Sequence, residues 1–269
     1  MREERPYPAP PEYDIFKRRV RELTGLDLDA YKYQIHRRVH MLMQRWNMHS
    51  YDQFYDYISK DPEKLREFLD YLTINVSEFF RNPVRWWHLK DVVIPELVDL
   101  RKSKKLRFLS AGAATGEEPY SLAMLANEAN LDDSQPIDAW DIDVNALKKA
   151  MDGVYHQRQL VNVPKEWLPR YFEPKGKELY QIKDMLKRRV RFSVKDLIKD
   201  PFPEEWYDLI LCRNVVIYFS PEAKSKLYRK FYTALRPGGY LMAGTTEHIF
   251  EYKEIGFISP GAFLYRRPM

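Results

Sequence analysis

The 269-residue sequence contains a single cysteine, Cys212. One thiol excludes an intramolecular disulfide and any cysteine-cluster zinc site, and it fits a reducing cytoplasm. No stretch approaches the ~20 consecutive apolar residues of a membrane span, and the opening MREERPYPAPPEY has no hydrophobic signal segment. A cytoplasmic protein without membrane insertion is therefore expected. Strong charge bias is missing too: 44 Lys and Arg against 39 Asp and Glu leave a formal charge of +5, which permits an acidic partner without requiring nucleic acid. Hydrophobic residues at 45% and aromatics at 14% predict a folded chain, long enough for more than one domain.

Residues 1–12 are polar and proline-rich and read as a flexible lead-in. From 13 to 72 there is no strand signal. Apolar residues recur at helical spacing over 13–23, 29–46, 50–59 and 61–72, with a break at Thr24-Gly25 and with Ser50 and Asp61 placed as caps. A helical N-terminal domain over 13–72 is predicted. Its second helix carries Lys32, His36, Arg37, Arg38, His40 and Arg45 around an apolar side of Ile35, Val39, Leu42 and Met43. A charged face is ordinarily a solvated face, but no acidic residue between Asp29 and Asp52 neutralises this one, so it is also a plausible dock for an acidic partner.

Residues 73–105 form a linker, TINVSEFFRNP, followed by a connecting helix to about Leu100. Its phenylalanines would pack between domains, and Arg81 is either an interdomain ion pair or a site residue. From 106 the pattern alternates. Strands are predicted at 106–110, 136–141, 190–193, 207–212, 239–245 and 262–266, and helices at 117–130, 143–152, 221–235 and, in shorter pieces, near 164–171 and 247–253. Alternation of this kind implies an α/β domain over 106–269, a Rossmann-like parallel sheet with helices on both faces. Residues 176–192 hold strand-like pieces and read as a small β insertion.

The central stretch is 106–122, LRFLSAGAATGEEPYSL. A short apolar strand gives way to small residues and then to a helix, so the backbone of the turn can approach a ligand closely. A phosphate loop would need Lys and Ser/Thr at the helix start, and a dinucleotide fingerprint three spaced glycines. Neither is present. Glu117 and Glu118 stand where a pyrophosphate would sit, which disfavours a dehydrogenase and suits a cationic head. S-adenosylmethionine, with an ammonium, a sulfonium and no phosphate, answers that description. The alternative is an ordinary strand–turn–helix whose acids complement the helix dipole. Two further strand ends favour a nucleoside ligand: Asp141 in AWDID, placed to accept from ribose hydroxyls, and Arg213-Asn214 in LILCRNVVIYF. No metal site is expected.

NVSEFFR, SAGAATGEEPYS, WDID and CRNVVIYF followed by LRPGGYL, in that order, resemble the chemotaxis receptor methyltransferases, the CheR family. The resemblance covers residues 13–269. It implies transfer of the S-adenosylmethionine methyl group to glutamate side chains on the cytoplasmic helices of membrane chemoreceptors, leaving S-adenosylhomocysteine; a monomer is expected. It also implies site residues: Asn75, Ser77 and Arg81 at the cofactor or lining the site; Glu118, with Glu117, at the cofactor's amino-acid end; Asp141 at the ribose; Asp196 and Leu197 near the adenine; Arg213 and Asn214 after the fourth strand; and Tyr218 pointing into the site. Arg81 and Tyr218 would be the catalytic pair. Arg37, Arg38 and Arg45 fall on the helix that the family uses in receptor recognition. Some members grip a tethering receptor peptide with a β-subdomain at the place of 176–192, and here no such binding is expected. Two rival functions remain in view. A nucleic-acid methyltransferase would favour a (D/N)PPY-type motif where this chain has CRNVVIY, and a non-enzymatic cofactor-binding regulator would have less need of Arg81, Glu118, Asp141 and Tyr218.

Overall fold

The computed structural model describes residues 10–24, 26–30, 33–72 and 77–269. Gly25, Lys32, Asn75 and the side chain of Tyr218 lie outside the described residues. Two compact units are present, Met1–Ile74 with Ile217–Ser225, and Asn75–Val216 with Lys226–Met269.

The first unit contains helices α1 (Pro11–Thr24), α2 (Tyr33–Arg45), α3 (Tyr51–Lys60) and α4 (Pro62–Leu72). Their starts follow from the caps: Ser50 Oγ accepts from the Gln53 N–H (3.2 Å), and Asp61 Oδ1 from the N–H groups of Glu63 (2.8 Å) and Lys64 (3.3 Å). The bundle closes on aromatics. Phe16, Phe54 and Phe68 are fully or almost fully buried and meet edge-on or tilted, with centroids 5.5–6.1 Å apart. Ile35, Val39, Leu42 and Met43 form the buried side of α2, as the spacing predicts. His36 does not belong to the basic face. It is 4% exposed, and its Nε2 lies 2.7 Å from Tyr51 Oη, because a helix turn places it between Ile35 and Val39 on the inward side.

The second unit opens with α5 (Pro83–His88), which a π-helical stretch (Leu89–Val93) joins to α6 (Ile94–Arg101). Then follow β1 (Phe108–Ala111), α7 (Glu117–Glu128), β2 (Ile137–Asp141), α8 (Val144–Asp152), β3 (Val154–His156), α9 (Leu168–Tyr171), β4 (Phe172–Pro174), β5 (Leu179–Ile182), α10 (Asp184–Lys187), β6 (Val190–Val194), β7 (Tyr207–Cys212), α11 (Pro221–Ala234), β8 (Leu235–Ala243), α12 (Tyr252–Ile255), β9 (Ile258–Gly261) and β10 (Leu264–Arg266). A seven-stranded sheet has the order β6-β2-β1-β7-β8-β10-β9. Its first five strands pair in parallel, and β10 and β9 add an antiparallel edge. The central strands are buried on both faces, which explains their unbroken apolar runs: every residue of Phe108–Ala111 and Tyr207–Cys212 is buried.

Two expectations change here. The small sheet is not confined to 176–192: it has the order β3-β5-β4 and draws on 154–156, 172–174 and 179–182, while 190–194 pairs with β2 in the main sheet. Strands of three residues, one ending at a proline, are too short to show alternation in the sequence. Nor do the linker phenylalanines wait at an interface. Phe79 and Phe80 are fully buried in the core of the α/β unit, Phe79 against Tyr155 and Phe172 (4.8 and 5.2 Å) and Phe80 against Trp86, Trp87 and Trp167 (5.4–5.7 Å).

Candidate active site

The site is built at the carboxyl ends of β1, β2 and β7, where the order of an open parallel sheet reverses. The turn after β1 alternates into left-handed backbone at Gly112 (φ 91°), Ala114 (φ 44°) and Gly116 (φ 95°). Gly112 has no room for a side chain, since a Cβ would fall 2.2 Å from a Val215 methyl. Ala114 has a Cβ and is strained by roughly 1–2 kcal/mol, so something must hold it. Asp141 does, accepting from the Ala114 N–H (2.8 Å) with one oxygen and from the Asp143 N–H (2.9 Å) with the other. Burial pushes the Asp141 carboxyl up, and these backbone donors pull against it. Asp143 meanwhile caps α8 through the Asn145 and Ala146 N–H groups (2.8 and 2.9 Å).

Glu117 and Glu118 open α7 and part company at once. Glu117 is fully buried and accepts from Thr115 Oγ1 (2.7 Å), Gln159 Nε2 (2.6 Å) and the Ser77 hydroxyl. It organises the protein: the Ser77 segment, the turn and the Gln159 loop meet on one carboxylate. Glu118 accepts from Ser110 Oγ (2.8 Å), and its other oxygen lies 3.5 Å from Arg213 Nη1. Burial pushes its carboxyl up to about 7 although Arg213 and Ser110 draw it down.

Arg213 is 7% exposed and is spent inside the site, its Nη2 donating to the Arg81 carbonyl (2.7 Å) and Asn82 Oδ1 (2.9 Å) while its guanidinium lies 5.5 Å from the Trp86 ring centroid. Arg81 therefore contributes its backbone to the Arg213 seat, and its own positive charge acts on Arg213. Residues 79–82 are held in an unusual shape, with Phe80 at φ 52° and Asn82 at φ 60°. For a bulky residue such as Phe80 this costs on the order of 1–3 kcal/mol. Burial of the ring, worth about 1.5–3 kcal/mol, offsets it. The Phe80 N–H is anchored on Ser121 Oγ (3.0 Å) and the Phe79 N–H on the Gln159 carbonyl (3.0 Å).

Asp196 and Leu197 begin just past β6, whose Val194 is in register with Asp141, so these residues reach the same sheet end. Asp196 Oδ1 accepts from the Ile198 and Lys199 N–H groups (2.8 and 3.2 Å) and shapes its own loop. Asn214 is left-handed (φ 60°), and its N–H donates to Glu247 (2.7 Å). Sequence reasoning passed over Glu247, Ser110 and Gln159. Glu247 had a readable signal, a polar residue just beyond an apolar strand, the same signal that picked out Asp141; Gln159 had none. On α2, Arg37 and Arg45 are exposed, whereas Arg38 donates to the Tyr71 carbonyl and its guanidinium lies 4.8 Å from the Tyr71 ring centroid.

The donor set tests which ligand fits. Glu117, Glu118, Asp141 and Glu247 stand against the guanidinium groups of Arg213 and Arg81, so negative charge is in excess and a phosphate would be repelled. A ligand with a cationic head and a nucleoside body fits. An open sheet of this order with an acid-rich turn after β1 defines an S-adenosylmethionine-dependent methyltransferase. Its helical first unit and the order of its motifs along the chain narrow the class further. The chain belongs to the CheR methyltransferase family: residues 11–73 match "CheR methyltransferase, all-alpha domain" and residues 75–259 "CheR methyltransferase, SAM binding domain". Similar curated proteins include the chemotaxis protein methyltransferase of Listeria monocytogenes, 38% identical over 94% of this chain and 96% of that one. Chemotaxis protein methyltransferase 1 of Pseudomonas aeruginosa is 30% identical (95% and 97% covered), and the Borreliella burgdorferi protein 28% (89% and 88%). The chain is thus an enzyme of chemotaxis that uses S-adenosylmethionine. Among the described residues no helix is long and apolar enough to cross a membrane.

Proposed function

We propose that the enzyme esterifies glutamate side chains on the cytoplasmic helical region of membrane chemoreceptors, acting in the cytoplasm as a monomer. The observation that carries this reading is the arginine pair beyond the end of β7: Arg213 is seated on the Arg81 carbonyl (2.7 Å) and feels the positive charge of Arg81, where an amine-methylating enzyme would hold polar and aromatic acceptor-binding groups. With Arg213 committed to Glu118, the Arg81 cation, which is no part of the acid-rich turn after β1, favours an anionic acceptor. Its carboxylate, with a reference pKa near ~4.3, is already ionised at neutral pH, so no base is needed.

When bound, the cofactor supplies an electrophilic methyl carbon on a sulfonium centre. The protein's part is positioning and water exclusion. Glu118, with Glu117 behind it, receives the cationic amino-acid end; Asp141 accepts from the ribose; Asp196 and Leu197 flank the adenine; Asn75, Ser77, Arg213 and Asn214 complete the cradle. Arg81 orients the acceptor carboxylate by a bidentate pair, and the Tyr218 hydroxyl holds an oxygen of the acceptor or the cofactor. Too tight a clamp at Arg81 would stabilise the ground state, so its role is orientation rather than charge quenching. Arg37 and Arg45, exposed on α2, dock the acidic receptor helix, with Arg38 bracing them from its Tyr71 contact. The functional division is a helical domain over 13–72, a connecting segment over 73–105 and the catalytic domain from 106, its small β-sheet not gripping a tether peptide.

The test is transfer of label from S-adenosylmethionine to chemoreceptor-containing membranes. Base-labile label is the expected product, because carboxyl esters hydrolyse where N-methyl groups persist. Base-stable label, or none despite cofactor binding, would sink the reading.

A further inference from the structure

Of the carboxylates around the cofactor seat, Glu247 has no part in the mechanism above. It is 3% exposed and follows the end of β8 by four residues. Its Oε2 accepts from the N–H groups of Asn214 (2.7 Å) and Gly244 (2.9 Å), and its Oε1 from that of Val216 (3.0 Å). Its own N–H donates to the Gly244 carbonyl (2.9 Å). One side chain thus ties the loops that leave β7 and β8, neighbouring parallel strands whose last residues, Cys212 and Ala243, are in register.

Gly244 makes the approach possible. A Cβ there would fall 2.2 Å from Glu247 Oε2 and 2.9 Å from the Asn214 nitrogen. The held conformation is one a non-glycine residue adopts reluctantly, since Asn214 stands at φ 60°. The residue before it is Arg213, whose guanidinium joins Glu118 to the Arg81 carbonyl and Asn82. A shift of the 213–216 turn would therefore be transmitted to Glu118. A neutral tie could hold backbone as well, but a buried negative charge does more. Glu247 and Glu118 both act electrostatically on Arg213, and Glu247 also acts on Glu118 as a like charge.

We propose that Glu247 is a positioning residue of the cofactor site: its carboxylate clasps the ends of β7 and β8, fixes the Arg213–Asn214 turn, and through it sets the place and charge of Glu118. It touches no reacting atom. The inference rests on the cofactor assignment, and binding of S-adenosylhomocysteine by the unaltered enzyme is the control that separates failure of that assignment from failure of the proposal.

The experiment is calorimetric titration of S-adenosylhomocysteine into the full chain in two buffers of different ionisation enthalpy near pH 7, giving affinity and protons released together. The unaltered enzyme should release a fraction of a proton. Glu247→Gln keeps one acceptor oxygen, turns an NH2 toward a backbone N–H and deletes the charge. It should bind about tenfold more weakly or worse and release fewer protons, because Glu118 is then ionised before the ligand arrives. Glu247→Asp keeps the charge but not the reach, so its affinity should fall while proton release stays near that of the unaltered enzyme. A folded Glu247→Gln protein with unchanged affinity overturns the proposal, as does one with weaker binding and unchanged proton release, which would make Glu247 a structural tie. If Glu247→Gln does not fold, Gly244→Ala decides. It presses on the carboxylate directly, so weaker binding by a folded variant supports the clasp, whereas unchanged binding, or failure of both variants to fold, overturns it.

Discussion

Glu118→Gln should stabilise the ligand-free enzyme and cripple its ligand binding. Glu118 opens α7 with 12% of its side chain exposed; Ser110 donates to one oxygen, and the Arg213 guanidinium stands 3.5 Å from the other. Those partners favour the anion, yet burial wins and the carboxyl rises from 4.5 to about 7. A gap of about 2.5 units at 1.36 kcal/mol each amounts to roughly 3 kcal/mol. Because the folded-state value is the higher one, this stability is fully present below pH 4.5 and lost as pH rises through about 7. A glutamine resembles the protonated acid and suffers no such loss. Denaturant titrations of ligand-free protein should therefore show the two proteins nearly equal in stability at about pH 4.5 and the variant more stable, by up to ~3 kcal/mol, at about pH 8. The same variant should bind S-adenosylhomocysteine at least about tenfold more weakly, since a neutral amide cannot pair with a cationic amino group. A stability difference that stays constant with pH would refute the reasoning.

Arg81→Ala should lower turnover by about a hundredfold while leaving the protein folded, because the Arg213 seat uses the Arg81 carbonyl, which the variant keeps; near-normal turnover in a methyl-transfer assay would remove Arg81 from the mechanism. At the opposite ends of the strands, fully buried Asp208 accepts from Arg101 Nε (2.6 Å), Arg236 Nη1 (3.2 Å) and the Arg107 N–H (2.9 Å). Asp208→Ala leaves these donors uncompensated and should destabilise by about 3–5 kcal/mol, read by urea denaturation; a loss under 1 kcal/mol would contradict a structural role for the cluster. In the helical unit, burial and the charges of His40 and Lys17 hold His36 below its ordinary 6.5. Its contribution is present above pH 6.5 and is lost as the pH falls, so the acid-unfolding midpoint of the unit, followed by circular dichroism, should move to lower pH in His36→Gln. An unmoved midpoint would mean that another group governs acid sensitivity.

Legibility in the sequence followed length and periodicity. The central strands β1 and β7 were readable because each is a bounded apolar run, and the helices of the first unit because three or four apolar residues recur on one side with Ser50 and Asp61 at the starts. The three-stranded sheet was not, since β3 and β4 have three residues each and pair only through β5. Strand β9, with Pro260 and Gly261 at its end, carries no strand signal at all. At the site, residues at strand ends were visible: Asp141, Arg213, Asn214 and Glu118 converge there. Their division of labour was not. Glu117 and Glu118 are adjacent and identical in type, yet one is saturated by Thr115, Gln159 and Ser77 and the other faces Arg213. Only the fold decides which carboxylate meets which partner. The same holds for Arg38, tied to Tyr71 across two helices, while Arg37 stays exposed one residue away.

The most direct test of the central claim is to locate the transferred methyl group by mass spectrometry on peptides of chemoreceptors incubated with the purified enzyme and S-adenosylmethionine. The account predicts a one-methyl mass increment on glutamate side chains of the cytoplasmic helices, absent without enzyme and strongly reduced with the Arg81→Ala variant. A methyl group found on lysine, arginine or nucleic acid instead, with glutamates unmodified while the cofactor is consumed, would contradict it.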